Sequence, residues 1–243
     1  MKNQYFGDAR DYFKYEVLDR LASDLPGIEQ LTCVWMLTPD DESNDGNVAF
    51  VADDDLPELT AFFRDRLESC DKGHCRVGEM DGYFGTRGYE FTPYGADEHF
   101  EHATRDTYFR AIDAPSLRHA VAFFDPDNGM EGEKTCSDKH LRYEELSQIL
   151  GRMDMSSVAV VFQYQFRVRN WVQEVGRRLH ERVSPHVAYV KEPSIALFVV
   201  ARQASRIQQV VGILERVVSR QSDSNGPTRE VGVIPAEERP LAS

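Results

Sequence analysis

Two carboxylates and a carboxamide follow directly on an apolar run in Val121-Ala122-Phe123-Phe124-Asp125-Pro126-Asp127-Asn128-Gly129. The short apolar run reads as a strand buried on both faces. Pro126 cannot continue an inner strand, and Asn128-Gly129 is turn chemistry. Asp125, Asp127 and Asn128 therefore belong just past the carboxyl end of a central strand, where open α/β sheets bind their ligands. Carboxylates so placed can take a proton from water or hold a cation. An ordinary solvated turn has the same composition, so a site and a plain turn are both open on these residues alone.

A second apolar run, Leu31 to Leu37, ends in Thr38-Pro39-Asp40-Asp41-Glu42-Ser43-Asn44-Asp45-Gly46. A third, Ser157 to Phe166, carries Gln163 and Gln165 and leads into Arg167 and Arg169. A parallel sheet brings the carboxyl ends of its strands to one edge, so Asp40, Asp45, Asp125, Asp127, Asn128, Gln163 and Arg167 are expected around one crevice. Crowded acids raise one another's pKa, which makes one of them a general base or cation ligand. An all-oxygen set suits magnesium or manganese rather than zinc. Asp-x-Asp-Asn-Gly also opens like a calcium loop, but Thr135-Cys136 stand near the place of the closing acid.

Several chemistries lack their residues. There is no G-x-G-x-x-G after a strand, no P-loop and no G-x-S-x-G elbow. The seven histidines include no H-E-x-x-H pair, and His99-Phe-Glu-His102 reads as a surface pair on a helix. Cys70-Asp-Lys-Gly-His74-Cys75 shows no fourth zinc ligand. No metal is assigned and the cofactor is left open. Free thiols are the expectation for all four cysteines, with Cys33 in the core.

The elements that must position these groups alternate. Helices are expected at about 9–25, 56–67, 97–112, 143–151, 168–183 and 205–219, and strands at 31–37, 121–124, 157–166, 186–190 and 195–200. That order predicts a single-domain, Rossmann-like α/β fold: a mainly parallel sheet, helices on both faces and a C-terminal antiparallel strand pair. Residues 73–97, rich in glycine and aromatics, read as a loop or hairpin over a pocket. The domain is expected to span 1–222, with 223–243 a tail.

The chain has 243 residues, 41% hydrophobic and 28% charged, with a formal charge of −13. Such a charge opposes non-specific adhesion to nucleic acid. It is uneven: Gly151 to Arg220 holds 11 Lys and Arg against 5 Asp and Glu, a balance of +6, which leaves −19 elsewhere. This fits a basic face for a phosphate backbone or, equally, arginines on solvated helix sides. No apolar run reaches the length of a membrane span, and Met1-Lys-Asn-Gln-Tyr-Phe6 lacks a signal-peptide core, so a cytoplasmic protein without a membrane partner is expected.

In layout the chain resembles the ribosomal RNA adenine N6-methyltransferases, which carry an early glycine with D-x-x-K-H and a D-P-P-Y after the central strand. Here Gly7 precedes Asp11-Tyr-Phe-Lys14-Tyr15, and Asp125-Pro126-Asp127-Asn128 holds the second place. The resemblance covers about residues 3–220 and implies a Rossmann-like fold. The second proline and the base-stacking aromatic are missing, and Pro39-Asp-Asp-Glu replaces the glycine-rich loop that holds S-adenosylmethionine. Asp125-Pro-Asp-Asn-Gly129 is also similar, at Asp125, Pro126 and Gly129, to the water-activating D-P-Y-H-G loop of uracil-DNA glycosylases.

Both resemblances imply an enzyme acting on an extruded nucleic-acid base. The acidic loops favour water activation, hence a glycosylase-like hydrolase. In that reading Asp125 or Asp127 orients water and Asn128 holds the base. Tyr83, Phe84 or Tyr89 stacks on it, and Arg167, Arg169, Arg177 and Arg178 hold phosphates. Lys14, Asp40, Asp45 and Gln163 complete the expected substrate-binding set. A base methyltransferase, a metal-dependent nuclease and a non-catalytic binding module are the alternatives.

Overall fold

A computed structural model describes residues 1–41, 56–69, 75–221 and 227–235. In chain order its main elements are α1 (Ala9–Asp24), β1 (Gln30–Trp35), α2 (Pro57–Ser69), α3 (Asp81–Phe84), β2 (Glu90–Tyr94), α4 (Arg105–Ala111), β3 (Ala120–Asp125), β4 (Gly129–Met130) and β5 (His140–Leu141). There follow α5 (Tyr143–Arg152), β6 (Val158–Tyr164), α6 (Trp171–Arg182), β7 (His186–Lys191), β8 (Ile195–Ala201), α7 (Ala204–Gln221) and β9 (Glu230–Val233).

The expected α/β architecture is what the chain adopts. Seven strands form one sheet in the order β2-β1-β3-β6-β8-β7-β9, and β4 and β5 form a second, two-stranded one. β2, β1, β3 and β6 pair in parallel, and β7 and β8 form the expected antiparallel hairpin, with β8 lying against β6. β1 and β3 are buried at every position, which is why they read as unbroken apolar runs.

Helices cover both faces. One core layer joins Phe13, Val17 and Leu21 of α1 and Val210 and Leu214 of α7 to alternate strand residues such as Leu31, Cys33 and Trp35. The other joins Leu146, Ile149 and Leu150 of α5 and Val172, Val175 and Leu179 of α6 to Val34, Ala122 and Phe124. Each such aliphatic side chain contributes about 1.5–3 kcal/mol when it leaves water.

The connection from β1 leads to β2 on one side, whereas β3 lies on the other side of β1. Such a reversal opens a crevice at the carboxyl ends of the two strands. Trp35 and Asp125 are the last residues of β1 and β3, and they face each other in register. The fold thus delivers Asp125 to the switch point.

Three segments depart from expectation. Residues 73–97 are not a hairpin over a pocket: Glu90–Tyr94 is a parallel edge strand on β1. Pro93 is tolerated there because it sits on an edge. The helix expected from 97 begins only at Arg105, so His99 and His102 precede it. The expected tail supplies β9, which pairs antiparallel with β7 and buries Ile234. Its four residues are too few to show a period among Gly, Pro and charges.

Arg229, just before β9, ties that segment down. Its guanidinium is 2.7 Å from Glu16 of α1 and 3.1 Å from Glu192, with side-chain exposures of 4%, 5% and 9%. It also lies over the Phe13 ring. Removing one member of such a group strands the others without a counter-charge. Arg229→Ala is expected to cost about 3–5 kcal/mol in urea denaturation followed by circular dichroism.

Candidate active site

Asp8 caps α1: its side chain accepts from the backbone N–H groups of Arg10 and Asp11. The turn before it depends on Gly7, whose φ of +101° favours a residue without Cβ. The Gly7 N–H donates to Asp11 Oδ2 at 3.0 Å. One turn further on, Lys14 Nζ lies 2.7 Å from Asp11 Oδ1 and 3.0 Å from Asp125 Oδ2, with all three side chains at most 3% exposed. The ammonium also lies 4.6 Å from the Phe162 ring centroid. This buried cluster joins the start of α1 to the end of β3.

Asp125 is 0% exposed, and its second oxygen, Oδ1, has no hydrogen-bond partner among the described residues. A buried carboxylate oxygen without a donor is costly in a folded protein. The residue Asp125 borders a cavity of about 360 Å³ lined by residues from the N-terminal segment, α1, the 125–128 loop and the end of β6. Phe162 and Tyr164 supply apolar wall, as does Tyr5. Arg10 stacks on Tyr164, 5.1 Å from its centroid, and donates to its hydroxyl at 3.3 Å.

Asp127 lies among cations. The Met1 ammonium is 3.5 Å from it and Lys139 3.4 Å, and the Thr38 hydroxyl donates at 3.2 Å. Burial alone would push its pKa up; the N-terminal ammonium, Lys139, Lys2 and the Thr38 bond outweigh burial and hold it below the usual carboxylate value. Asp8 goes the other way. Burial, then the neighbouring Asp11 charge, push its carboxyl up to about 7. Burial also raises Asp11, against the pull of Lys14. Lys14 itself stays an ammonium, since Asp11 and Asp125 overcome the penalty of its own burial.

Gln163 holds the loop in place. Its side chain accepts from the Met130 N–H at 2.8 Å and donates to the Asn128 carbonyl at 3.0 Å. Gly129 has a φ of +117°, and a Cβ there would strike that same Gln163 side chain. Asn128 is further fixed through its N–H to Lys139 and its carbonyl to Tyr164 N–H.

Sequence comparison adds no relative to this geometry. No protein-family model matches the chain, and no curated protein matches it significantly.

Of the residues expected at the site, Asp125, Asp127, Asn128 and Lys14 line the cavity. Gln163 is 2% exposed and braces the loop from behind. The 38–41 stretch does meet the 125–127 loop, through Thr38 and Asp127. Asp40 turns away to a separate polar hollow with Asp97 and His99, and accepts from the Gln4 N–H. Asp45 lies outside the described residues.

Tyr83, Phe84 and Tyr89, expected to stack on a base, are not among the residues that line the cavity. They pack in the core behind α1, with the Tyr83 and Tyr89 hydroxyls donating to Asp19. They belong to α3 and the approach to an edge strand, far in register from the carboxyl end. Arg167 and Arg169 are exposed on the loop after β6, on the site's edge of the sheet but outside the cavity lining. Cys75 is disulfide-bonded, not free, whereas Cys33 and Cys136 are free. Among the described residues no group of histidine, cysteine and acid side chains could hold a metal ion, and no helix is long and apolar enough to cross a membrane.

The wall residues Tyr5, Asp8, Arg10, Phe162 and Tyr164 were missed by the sequence reading. Asp8 carried a usable signal, because an acid before a helical period is an N-cap. Nothing local to Phe162 or Tyr164 shows that β6 ends against α1.

The raised Asp8 carboxyl has a consequence for stability. Between its ordinary value of 3.8 and about 7, the folded chain keeps a proton that the unfolded chain releases. Stability must therefore fall as pH rises through that window. Asn caps helices as well as Asp does. Asp8→Asn is thus expected to reduce the drop in melting temperature between pH 5 and pH 8, measured by differential scanning calorimetry.

Proposed function

We propose that the chain is a hydrolase that cleaves the bond between a nucleic-acid base and its sugar. The observation that carries this reading is Asp125, which lines a cavity whose walls include Phe162 and Tyr164 and whose Oδ1 has no hydrogen-bond partner among the described residues. A cavity of about 360 Å³ falls within the roughly 300–1,000 Å³ usual for ligand sites. Tyr5, Phe162 and Tyr164 give it apolar wall, and its carboxylates suit a centre that gains positive charge.

Glycosidic cleavage makes such a centre, because the sugar becomes oxocarbenium-like as the base departs. Asp125, beside the Lys14 ammonium, stabilises that charge and orients water toward the anomeric carbon. The carbon–nitrogen bond breaks with its electron pair going to the base. Asp8, protonated up to about pH 7, donates the proton that the departing base needs. The proton lost by water passes to Asp125. Asp127, held ionised by its cations, and Asn128 offer polar contacts at the loop. Asp8 and Asp127, pushed to opposite sides of the ordinary carboxylate value, put one proton-carrying and one ionised carboxyl in the same cavity.

A second reading, base methylation, is favoured by one observation. Gly7, Asp11, Lys14, Asp125 and Pro126, which carry the methyltransferase resemblance, converge on this same cavity through the Lys14 ion pairs. Asp127 and Asn128 still stand where that family has a proline and an aromatic. Calorimetric binding of S-adenosylmethionine would decide for methyl transfer.

The hydrolase reading is tested by chromatographic detection of free base from nucleosides and oligonucleotides. Asp125→Asn is expected to lower kcat about 100-fold or more with a much smaller change in KM. Activity is expected to decline above about pH 7 as Asp8 loses its proton. Undiminished base release by Asp125→Asn would refute the assignment.

A further inference from the structure

β6 does not end in a polar turn. From its last residue the chain reads Tyr164-Gln165-Phe166-Arg167-Val168-Arg169. Tyr164, Phe166 and Val168 are 37%, 36% and 47% exposed, and the other large hydrophobics so exposed among the described residues are Met155 and Val233. Exposed apolar side chains alternate here with Gln165, Arg167 and Arg169 along six residues. An interior or a plain helix side does not need that pattern.

The arginines differ from their neighbours in the same basic stretch. Arg177 pairs with Glu174 and Glu181, Arg178 with Glu174 and Glu133, and Arg182 with Glu131. Arg152, Arg202 and Arg206 donate to backbone carbonyls. Those side chains are committed within the fold. Arg167 and Arg169 make no hydrogen bond or ion pair among the described residues.

The base of the ridge is anchored. Tyr164 N–H donates to the Asn128 carbonyl at 3.1 Å, and Gln165 N–H to the Ser194 carbonyl at 2.8 Å. Tyr164 also forms part of two cavity walls. On one side lies the Asp125 cavity; on the other lies a cavity of about 490 Å³ bordered by Met130, Tyr143, Gln165 and Phe166.

We infer that this ridge is a platform for single-stranded nucleic acid, which lays one base in the Asp125 cavity and the adjacent base in the second, with Tyr164 between them. The inference rests on the hydrolase reading for the identity of the reacting base, and adds the form of the substrate. Phe166 stacks on the flanking base, and Arg167 and Arg169 take the phosphates that follow. Aromatic faces interleaved with untied cations bind unpaired strands with little sequence preference. A paired base cannot enter either cavity without leaving its stack.

The test is fluorescence anisotropy with a labelled mixed-sequence DNA strand, the same sequence in RNA, and the DNA duplex, over a range of salt. Single strands are expected to bind at least 10-fold more tightly than duplex; whether DNA or RNA binds better identifies the natural strand. Phe166→Ala is expected to weaken binding roughly 5- to 150-fold. Replacing both Arg167 and Arg169 with Ala should reduce the salt slope by about 1.4, the value for two phosphates on a single strand. Arg177→Ala, whose guanidinium is already paired, should leave that slope unchanged.

Equal binding of duplex, unchanged binding by Phe166→Ala, or no binding at low salt would each overturn the platform. These outcomes separate from those of the hydrolase reading. Base release from free nucleosides without strand binding refutes only the platform. Strand binding that shows this pattern without base release supports the platform and refutes the hydrolase.

Discussion

The ammonium of Lys14 is the point on which the site depends. It lies between Asp11 and Asp125, with every group removed from water. Three buried side chains of unlike charge are costly to desolvate, so this cluster is a poor way to gain stability. What it supplies is position. It fixes α1 against the carboxyl end of β3 and engages one Asp125 oxygen, while the other has no hydrogen-bond partner among the described residues. The surrounding parts serve the same end: Gly7 and Asp8 shape the turn that starts α1, and Gln163 locks the 128–130 turn.

Electrostatics then differentiates acids that are alike in sequence. Asp127 meets the Met1 ammonium and Lys139 and is held ionised. Asp8 meets burial and the Asp11 charge and keeps its proton to about pH 7. Asp125 lies between them in the chain and has its own lysine. The same cavity thus holds one carboxyl that keeps its proton to about pH 7 and one that stays ionised.

The strands β1, β3, β6 and β8 were legible because they are apolar runs bounded by turn residues. Asp125 was legible because Pro126 had to end its strand. Lys14 was flagged at the site, but its partner Asp125 is 111 positions away, so the ion pair was not. The stacking residues were misplaced for a related reason. Tyr83 and Phe84 look like lid aromatics in a glycine-rich stretch, yet the parallel edge strand that follows turns them into core. Phe162 and Tyr164, which do reach the cavity, were hidden inside an apolar strand. β9 was missed because an edge strand of four residues leaves almost no periodicity.

In the proposed reaction, water activated at Asp125 replaces a base on its sugar. The most direct measurement is mass spectrometry of the products from a single-stranded oligonucleotide incubated in heavy-oxygen water. The prediction is free, unmodified base together with the heavy oxygen on the anomeric carbon of the sugar left behind. An intact strand, a strand cut at phosphate with the isotope on phosphorus, or a base that gains a methyl group when S-adenosylmethionine is added would contradict it.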